Sequence, residues 1–221
     1  MNVSILNLSF AWADEVLFNE AAGQLETGDI LRLSGDNGSG KTTLLKLLCG
    51  MIPHFSRGRL LTGDITIDGE SIVTTSPKHF FPKIAFIPNQ NIDLFLLNRN
   101  LEEEILVIRT LMKLTDNTVR LKISCFNEMV SDFHNDLKLP FASMTFQQKA
   151  FSLALIYFIQ GPTLYLFDEM LDQSSGVINR QQWDLFLSAM ATNGSIVLYV
   201  SHDRSSTKHK LWEIRNKQIN F

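Results

Sequence analysis

One segment, GDNGSGKT at positions 35–42, limits the possible folds of this 221-residue chain more than any other feature. It fits the pattern GxxxxGK[ST], in which the glycines let the backbone turn its N–H groups inward around phosphate oxygens. The alternating residues Asp29–Ser34 predict a strand before it, and the apolar spacing of Thr42–Cys49 predicts a helix after it. A glycine-rich loop between a strand and a helix indicates a phosphate-binding loop, so the sequence predicts an α/β protein that binds a nucleotide.

The residue types of this loop also assign roles to its side chains. Lys41 can reach the terminal phosphates of a nucleotide, and the Thr42 hydroxyl can be a ligand of Mg²⁺. The positive N-terminal end of the following helix faces the same phosphates. We therefore expect ATP and Mg²⁺ as cofactors, with nucleotide contacts from Gly35, Asp36, Asn37, Gly38, Ser39, Gly40, Lys41, Thr42 and Thr43.

Strand and helix patterns alternate along most of the chain. This alternation predicts a mainly parallel sheet that is covered by helices on both faces. From Leu101 to Phe141 the pattern is helical instead, which indicates an insert. We expect a single domain over 1–221, with a core formed by 1–89 and 143–221 and a helical insert over about 90–142. The further strands are predicted at Ile65–Ile67, Lys83–Ile87, Leu164–Phe167 and Ile196–Val200, and the further helices at Gln147–Gln160 and around Trp183–Met190.

Composition narrows the possible partners and the location. The net charge is −3 with no basic stripe, so we expect no nucleic-acid partner. The longest apolar run, Phe151–Ile159, is far shorter than the about 20 residues of a membrane-spanning helix. The first residues lack the basic and small-residue features of a signal peptide, and two distant cysteines fit reduced thiols of a cytosolic protein. We expect a cytoplasmic protein whose membrane role, if it has one, comes through a partner.

Two buried strands end in polar residues that suit nucleotide chemistry. Leu164–Phe167 is followed by Asp168, a candidate Mg²⁺ ligand, and by Glu169, a candidate general base for the attacking water. Ile196–Val200 is followed closely by His202, which could contact the γ-phosphate. Because parallel strands end at the same edge of a sheet, we expect all three side chains to lie near the phosphate-binding loop.

The order of these motifs resembles that of ABC ATPases over essentially the whole chain. The resemblance implies an antiparallel β part at the N-terminus and an aromatic residue that stacks on adenine, for which Trp12 is the candidate. It also implies a glutamine-loop residue with catalytic and metal contacts; Gln90 fits this position by spacing, and Asn89 is the competing assignment. Ser143 falls in the family's signature segment, so it would contact a nucleotide on a facing subunit. The implied function is ATP hydrolysis that powers a separate polytopic membrane subunit, peripheral on the cytoplasmic face of the cell membrane.

A narrower likeness concerns the segment Gln90–Ile105. Its residues QNIDLFLLNRNLEEEI resemble the QNPDDQLF…VEEEI stretch of energy-coupling-factor importers, which use paired, non-identical ATPases. This likeness favours import, with peptide or drug export as the alternative.

The chain departs from the family where LSGGQ is expected, because residues 142–146 read ASMTF and retain only the serine. The family's glycines allow close approach of the backbone to the γ-phosphate, and the Cβ atoms of Met144 and Thr145 obstruct it. The resemblance then implies a heterodimer with a second ABC ATPase whose signature is intact. The segment 170–175 also departs from the family. The alternative functions are a soluble non-transport ABC ATPase, as in iron–sulfur assembly, and a non-hydrolysing regulatory ABC subunit.

Overall fold

The elements of this computed structural model follow the predicted strand and helix pattern. The structure describes residues 1–55, 59–97, 99–130, 137–170, 180–192, 194–202 and 209–220. The strands are β1 Asn2–Trp12, β2 Glu15–Glu26, β3 Ile30–Gly35, β4 Arg59–Ile67, β5 Glu70–Ser71, β6 Ile84–Ile87, β7 Leu164–Phe167, β8 Ile196–Val200, β9 Lys210–Arg215 and β10 Gln218–Asn220. The helices are α1 Lys41–Leu48, α2 Met51–His54, α3 Pro77–Phe80, α4 Leu101–Leu111, α5 Asp116–Met129, α6 Phe146–Gln160 and α7 Arg180–Thr192.

The larger sheet has the strand order β10-β9-β3-β8-β7-β6. The strands from β9 to β6 run parallel to one another, and only the pair of β10 with β9 is antiparallel within this sheet. This confirms the predicted mainly parallel sheet. Because β3, β8, β7 and β6 are consecutive neighbours, the loops that follow their carboxyl ends lie side by side at one edge.

A second sheet, with the order β2-β1-β4-β5, is antiparallel. Its apolar face packs with α1 against one face of the larger sheet, in a cluster that includes Val3, Phe18, Leu33, Leu44 and Leu198. This is the N-terminal antiparallel part that the family resemblance implies.

The helices from α4 to α7 cover the opposite face of the larger sheet. Phe126 of α5 contacts Phe186 of α7, and both belong to the same buried cluster as Phe167 of β7. The predicted insert therefore shares its apolar core with the central sheet, and the boundaries drawn at about 90 and 142 stay a prediction. Residues 131–136, within the stretch Leu101–Phe141 for which a helical pattern was predicted, lie outside the described residues. In the part of the chain that the structure describes, no helix has the length and apolar character needed to cross a membrane.

Candidate nucleotide-binding site

The loop between β3 and α1 encloses the side chain of Lys41. This lysine is only 6% exposed, and its ammonium group donates hydrogen bonds to the carbonyl oxygens of Gly35 at 2.9 Å and Asp36 at 3.0 Å. The lysine therefore braces the loop from inside and places a positive charge at its centre. Bound phosphate oxygens would gain a charge-assisted hydrogen bond from the same group.

Gly40 shows why the loop needs glycine at this position. Its φ angle is +105°, a left-handed value that side chains rarely adopt, and a Cβ there would lie 2.9 Å from the Phe18 ring. Gly40 also begins α1, since its carbonyl oxygen accepts the N–H of Leu44 at 2.8 Å. The tight turn thus points the N-terminal end of α1 into the loop, where it favours an anion.

A pocket of about 180 Å³ opens beside this loop. It brings the predicted loop residues together with the predicted base, Glu169. Its lining residues are Leu17, Asn37, Gly38, Gly40, Lys41, Thr42, Thr43 and Glu169.

Thr42, which lines the pocket, is in direct contact with the buried carboxylate of Asp168 behind it, an arrangement that suits two ligands of one metal ion. The Thr42 hydroxyl lies 3.1 and 3.0 Å from the two carboxylate oxygens of Asp168. The backbone N–H of Asp168 donates to Ile87 of the neighbouring β6, which fixes the end of β7. A hydroxyl and a carboxylate are the oxygen ligands that Mg²⁺ prefers, and further positions would be filled by nucleotide phosphates and water.

Burial changes the protonation of Asp168. The side chain is inaccessible to solvent, and this desolvation raises its pKa to about 6. The hydrogen bond from Thr42 and the charges of Lys46 and Lys41 lower the pKa, while the charge of Glu169 raises it further. A divalent cation bound at this carboxylate would favour the charged form and displace the proton.

Glu169 is held between side chains from the loops after two other strands. The Asn89 amide, after β6, donates to one of its carboxylate oxygens at 3.2 Å. His202, after β8, places Nε2 3.3 Å from the other oxygen. The residue itself has a left-handed φ of +52°, a conformation that is uncommon for residues other than glycine. The carboxylate therefore has a defined position at the edge of the pocket.

The remaining predicted site residues lie at different places. The Gln90 side chain is exposed to solvent beside Asn89. Trp12 is half-buried, contacts Phe10 edge to face, and donates its indole N–H to the Thr43 hydroxyl at 3.3 Å. Ser143 is exposed in a turn in front of α6 and does not line the pocket. Residues 171–175, part of the segment that departs from the family, lie outside the described residues.

The phosphate-binding loop, the buried Thr42–Asp168 pair and the parallel sheet together define a P-loop nucleotide-binding protein. Comparison with known proteins gives the family. A family model described as ABC transporter matches residues 18–172, which is more than half of the chain. The chain therefore belongs to the ABC transporter family, and its fold is that of the family's ATPase domain.

The chain is similar to several proteins of this family. It is 26% identical over 209 residues to a xylose import ATP-binding protein of Histophilus somni, and 32% identical over 180 residues to a putative ABC transporter ATP-binding protein of Methanosarcina mazei. These matches cover 91% and 81% of this chain but only 39% and 29% of the two relatives. A solved ATP-binding subunit of an ABC transporter superposes with a TM-score of 0.77 at 17% identity, over 99% of this chain and 88% of that one. A bacterial Atm1-family ABC exporter with ATP bound gives a TM-score of 0.74 at 16% identity, over 100% of this chain and 38% of the exporter.

Two features of the site were missed by the sequence analysis. Leu17, which lines the pocket, has no chemical signal in the sequence. The cap at the start of α6, formed by Thr145 and Gln148, does have one, because threonine followed three residues later by glutamine is the pattern of a capping box.

Proposed function

We propose that this chain is the ATP-binding and ATP-hydrolysing subunit of an ABC transporter. The observation that carries the proposal is that Lys41, Thr42 and Glu169 line one pocket, with Asp168 in contact with Thr42. A Mg²⁺ ion held by Thr42 and Asp168 would neutralise developing charge on the phosphates. Lys41 and the backbone N–H groups of the loop bind and orient the phosphates, so that the terminal one faces Glu169.

Glu169 would act as the general base. Its carboxylate can accept a proton from a water molecule positioned beside the γ-phosphate, and His202 and Asn89 fix its direction. The contact with Glu169 supports Asn89, rather than Gln90, as the glutamine-loop residue of this chain. Trp12 would stack on the adenine ring, since its contact with Thr43 holds it next to a residue that lines the pocket.

The same loop region offers a surface for a polytopic membrane subunit. Leu94 and Leu97, in and just after the turn that follows Asn89 and Gln90, are 75% and 84% exposed. The turn is fixed at both ends: Lys149 of α6 pairs with Asp93 at 2.6 Å, and the buried carboxylate of Glu104 accepts the N–H of Leu97. Exposed apolar side chains on a fixed turn suit a protein partner.

Helix α4 has further exposed apolar side chains, Leu106 and Leu111. Docking here would hold the chain on the cytoplasmic face of the cell membrane through the partner. The likeness of Gln90–Ile105 to energy-coupling-factor importers supports import as the direction of transport. It also supports a second, non-identical ATPase as the other partner, since those importers use such pairs.

The experiment compares wild type with Glu169→Gln in the complex purified through a tag on this chain. Without its base, ATP turnover should fall by roughly 10²–10⁴-fold while ATP binding is retained. Glu102→Gln, at an exposed position of α4, is the matched control and should turn over normally. Equal turnover by wild type and Glu169→Gln would contradict the proposal. A wild-type complex that binds ATP without hydrolysing it would favour the regulatory alternative, which the altered signature segment supports.

A further inference from the structure

Helix α6, which starts in the signature segment, has a reciprocal cap at its N-terminus. The Thr145 hydroxyl accepts the backbone N–H of Gln148 at 3.2 Å, and the Gln148 side chain accepts the backbone N–H of Thr145 at 2.9 Å. The first N–H groups of a helix have no partner within the helix, so side chains, water or a bound anion must satisfy them. In this chain two of the N–H groups at the start of α6 already have side-chain partners.

Met144 adds a second restraint next to this cap. Its side chain is partly buried against the apolar cluster of the helical face, and its sulfur accepts a hydrogen bond from Ser152 at 3.7 Å. Met144 is therefore held by packing, and Thr145 is held by the cap. The backbone here would have to lose both contacts before its N–H groups could turn toward an external phosphate.

We infer that the Thr145–Gln148 cap closes this signature segment, so that α6 does not bind the γ-phosphate of ATP held on a facing subunit. The inference rests on the proposed function, in which two ATPases enclose the nucleotides between them. Two copies of this chain would then each hold ATP at Lys41 without completing the site of the other. A second ABC ATPase whose own signature segment is uncapped would instead complete the site on this chain.

The chain contains a matched control for the cap. Helix α5 begins with one half of such a cap: the Thr115 hydroxyl accepts the backbone N–H of Thr118 at 3.1 Å, without the reciprocal contact that Gln148 makes in α6. Thr115 lies in the helical insert and not in the signature segment. Thr115→Gly therefore removes a threonine cap from the start of another helix and leaves the start of α6 unchanged.

The test measures the molar mass of this chain by light scattering, with and without Mg-ATP, in the Glu169→Gln background that retains ATP. Glu169→Gln alone should bind ATP and stay monomeric. Adding Met144→Gly and Thr145→Gly should double the mass in the presence of ATP, whereas adding Thr115→Gly should not. If this glycine variant is poorly folded by circular dichroism, Met144→Gly combined with Gln148→Ala, which removes the Met144 packing and frees the Thr145 N–H but keeps Thr145, should show the same shift toward dimer.

Two results would overturn the inference. One is ATP-dependent dimerisation of Glu169→Gln with its cap intact. The other is a folded, ATP-bound set of uncapped variants that all stay monomeric. Calorimetry on the same samples separates these from a failure of the proposed function, because a chain that does not bind ATP at all contradicts that function directly.

Discussion

The buried carboxylate of Asp168 makes the metal dependence of ATP binding sensitive to pH. Only the deprotonated carboxylate binds Mg²⁺, and desolvation raises the pKa of this group to about 6. Metal binding should therefore be fully available well above that pKa and be lost as the pH falls through it. With a pKa of about 6, the deprotonated fraction drops from about 97% at pH 7.5 to about 24% at pH 5.5, so the apparent Mg²⁺ affinity should fall about fourfold.

The assay is a calorimetric titration of ATP at several Mg²⁺ concentrations, repeated from about pH 7.5 down to about pH 5.5. The phosphates of ATP also take up protons near pH 6, and Asp168→Asn measures that contribution separately, because its amide does not titrate. Between these two pH values, the apparent Mg²⁺ affinity of wild type should fall by an additional factor of about four, and that of Asp168→Asn should not. Identical pH dependence of the two proteins would refute the assignment of Asp168 as the buried, titrating metal ligand.

Two further substitutions test the assignments around the pocket. Asn89→Ala should lower ATP turnover of the complex, because Glu169 loses its amide contact, whereas Gln90→Ala should change turnover little. If Gln90→Ala has the larger effect in a steady-state assay, Gln90 is the glutamine-loop residue. Trp12→Ala should weaken ATP binding by about 1–3 kcal/mol, the usual contribution of base–aromatic stacking, and leave the binding of inorganic triphosphate unchanged. Equal losses for both ligands in competition titrations would show that Trp12 supports the loop rather than the adenine ring.

The sequence predicted which of these residues would lie near one another, because they follow short apolar strands. β7 and β8 end where the patterns indicated, and β3 ends one residue later. The parallel order places Lys41, Asp168 and His202 at one edge. The sequence could not predict in which direction a side chain points just after a strand. Asn89 and Gln90 are adjacent, and spacing along the chain cannot show that only Asn89 turns toward Glu169.

The signature segment shows a different limit of sequence reasoning. The sequence predicted that Met144 and Thr145 obstruct a phosphate by bulk. The structure adds a polar reason, since Gln148 folds back and occupies the Thr145 N–H. The spacing of Thr145 and Gln148 is a signal for that contact, but a comparison with the family's LSGGQ pattern alone does not reveal it.

ATP binding by the isolated chain tests the central claim most directly. Lys41 supplies the buried positive charge of the loop, so its removal should cost most of the affinity for Mg-ATP. The control is Lys113→Ala, which changes an exposed lysine between α4 and α5. Calorimetry should show one bound nucleotide for wild type and for this control. Lys41→Ala should lose at least about tenfold in affinity, the equivalent of about 1.4 kcal/mol. Equal affinity of wild type and Lys41→Ala for Mg-ATP would contradict the assignment of this loop as the nucleotide-binding site.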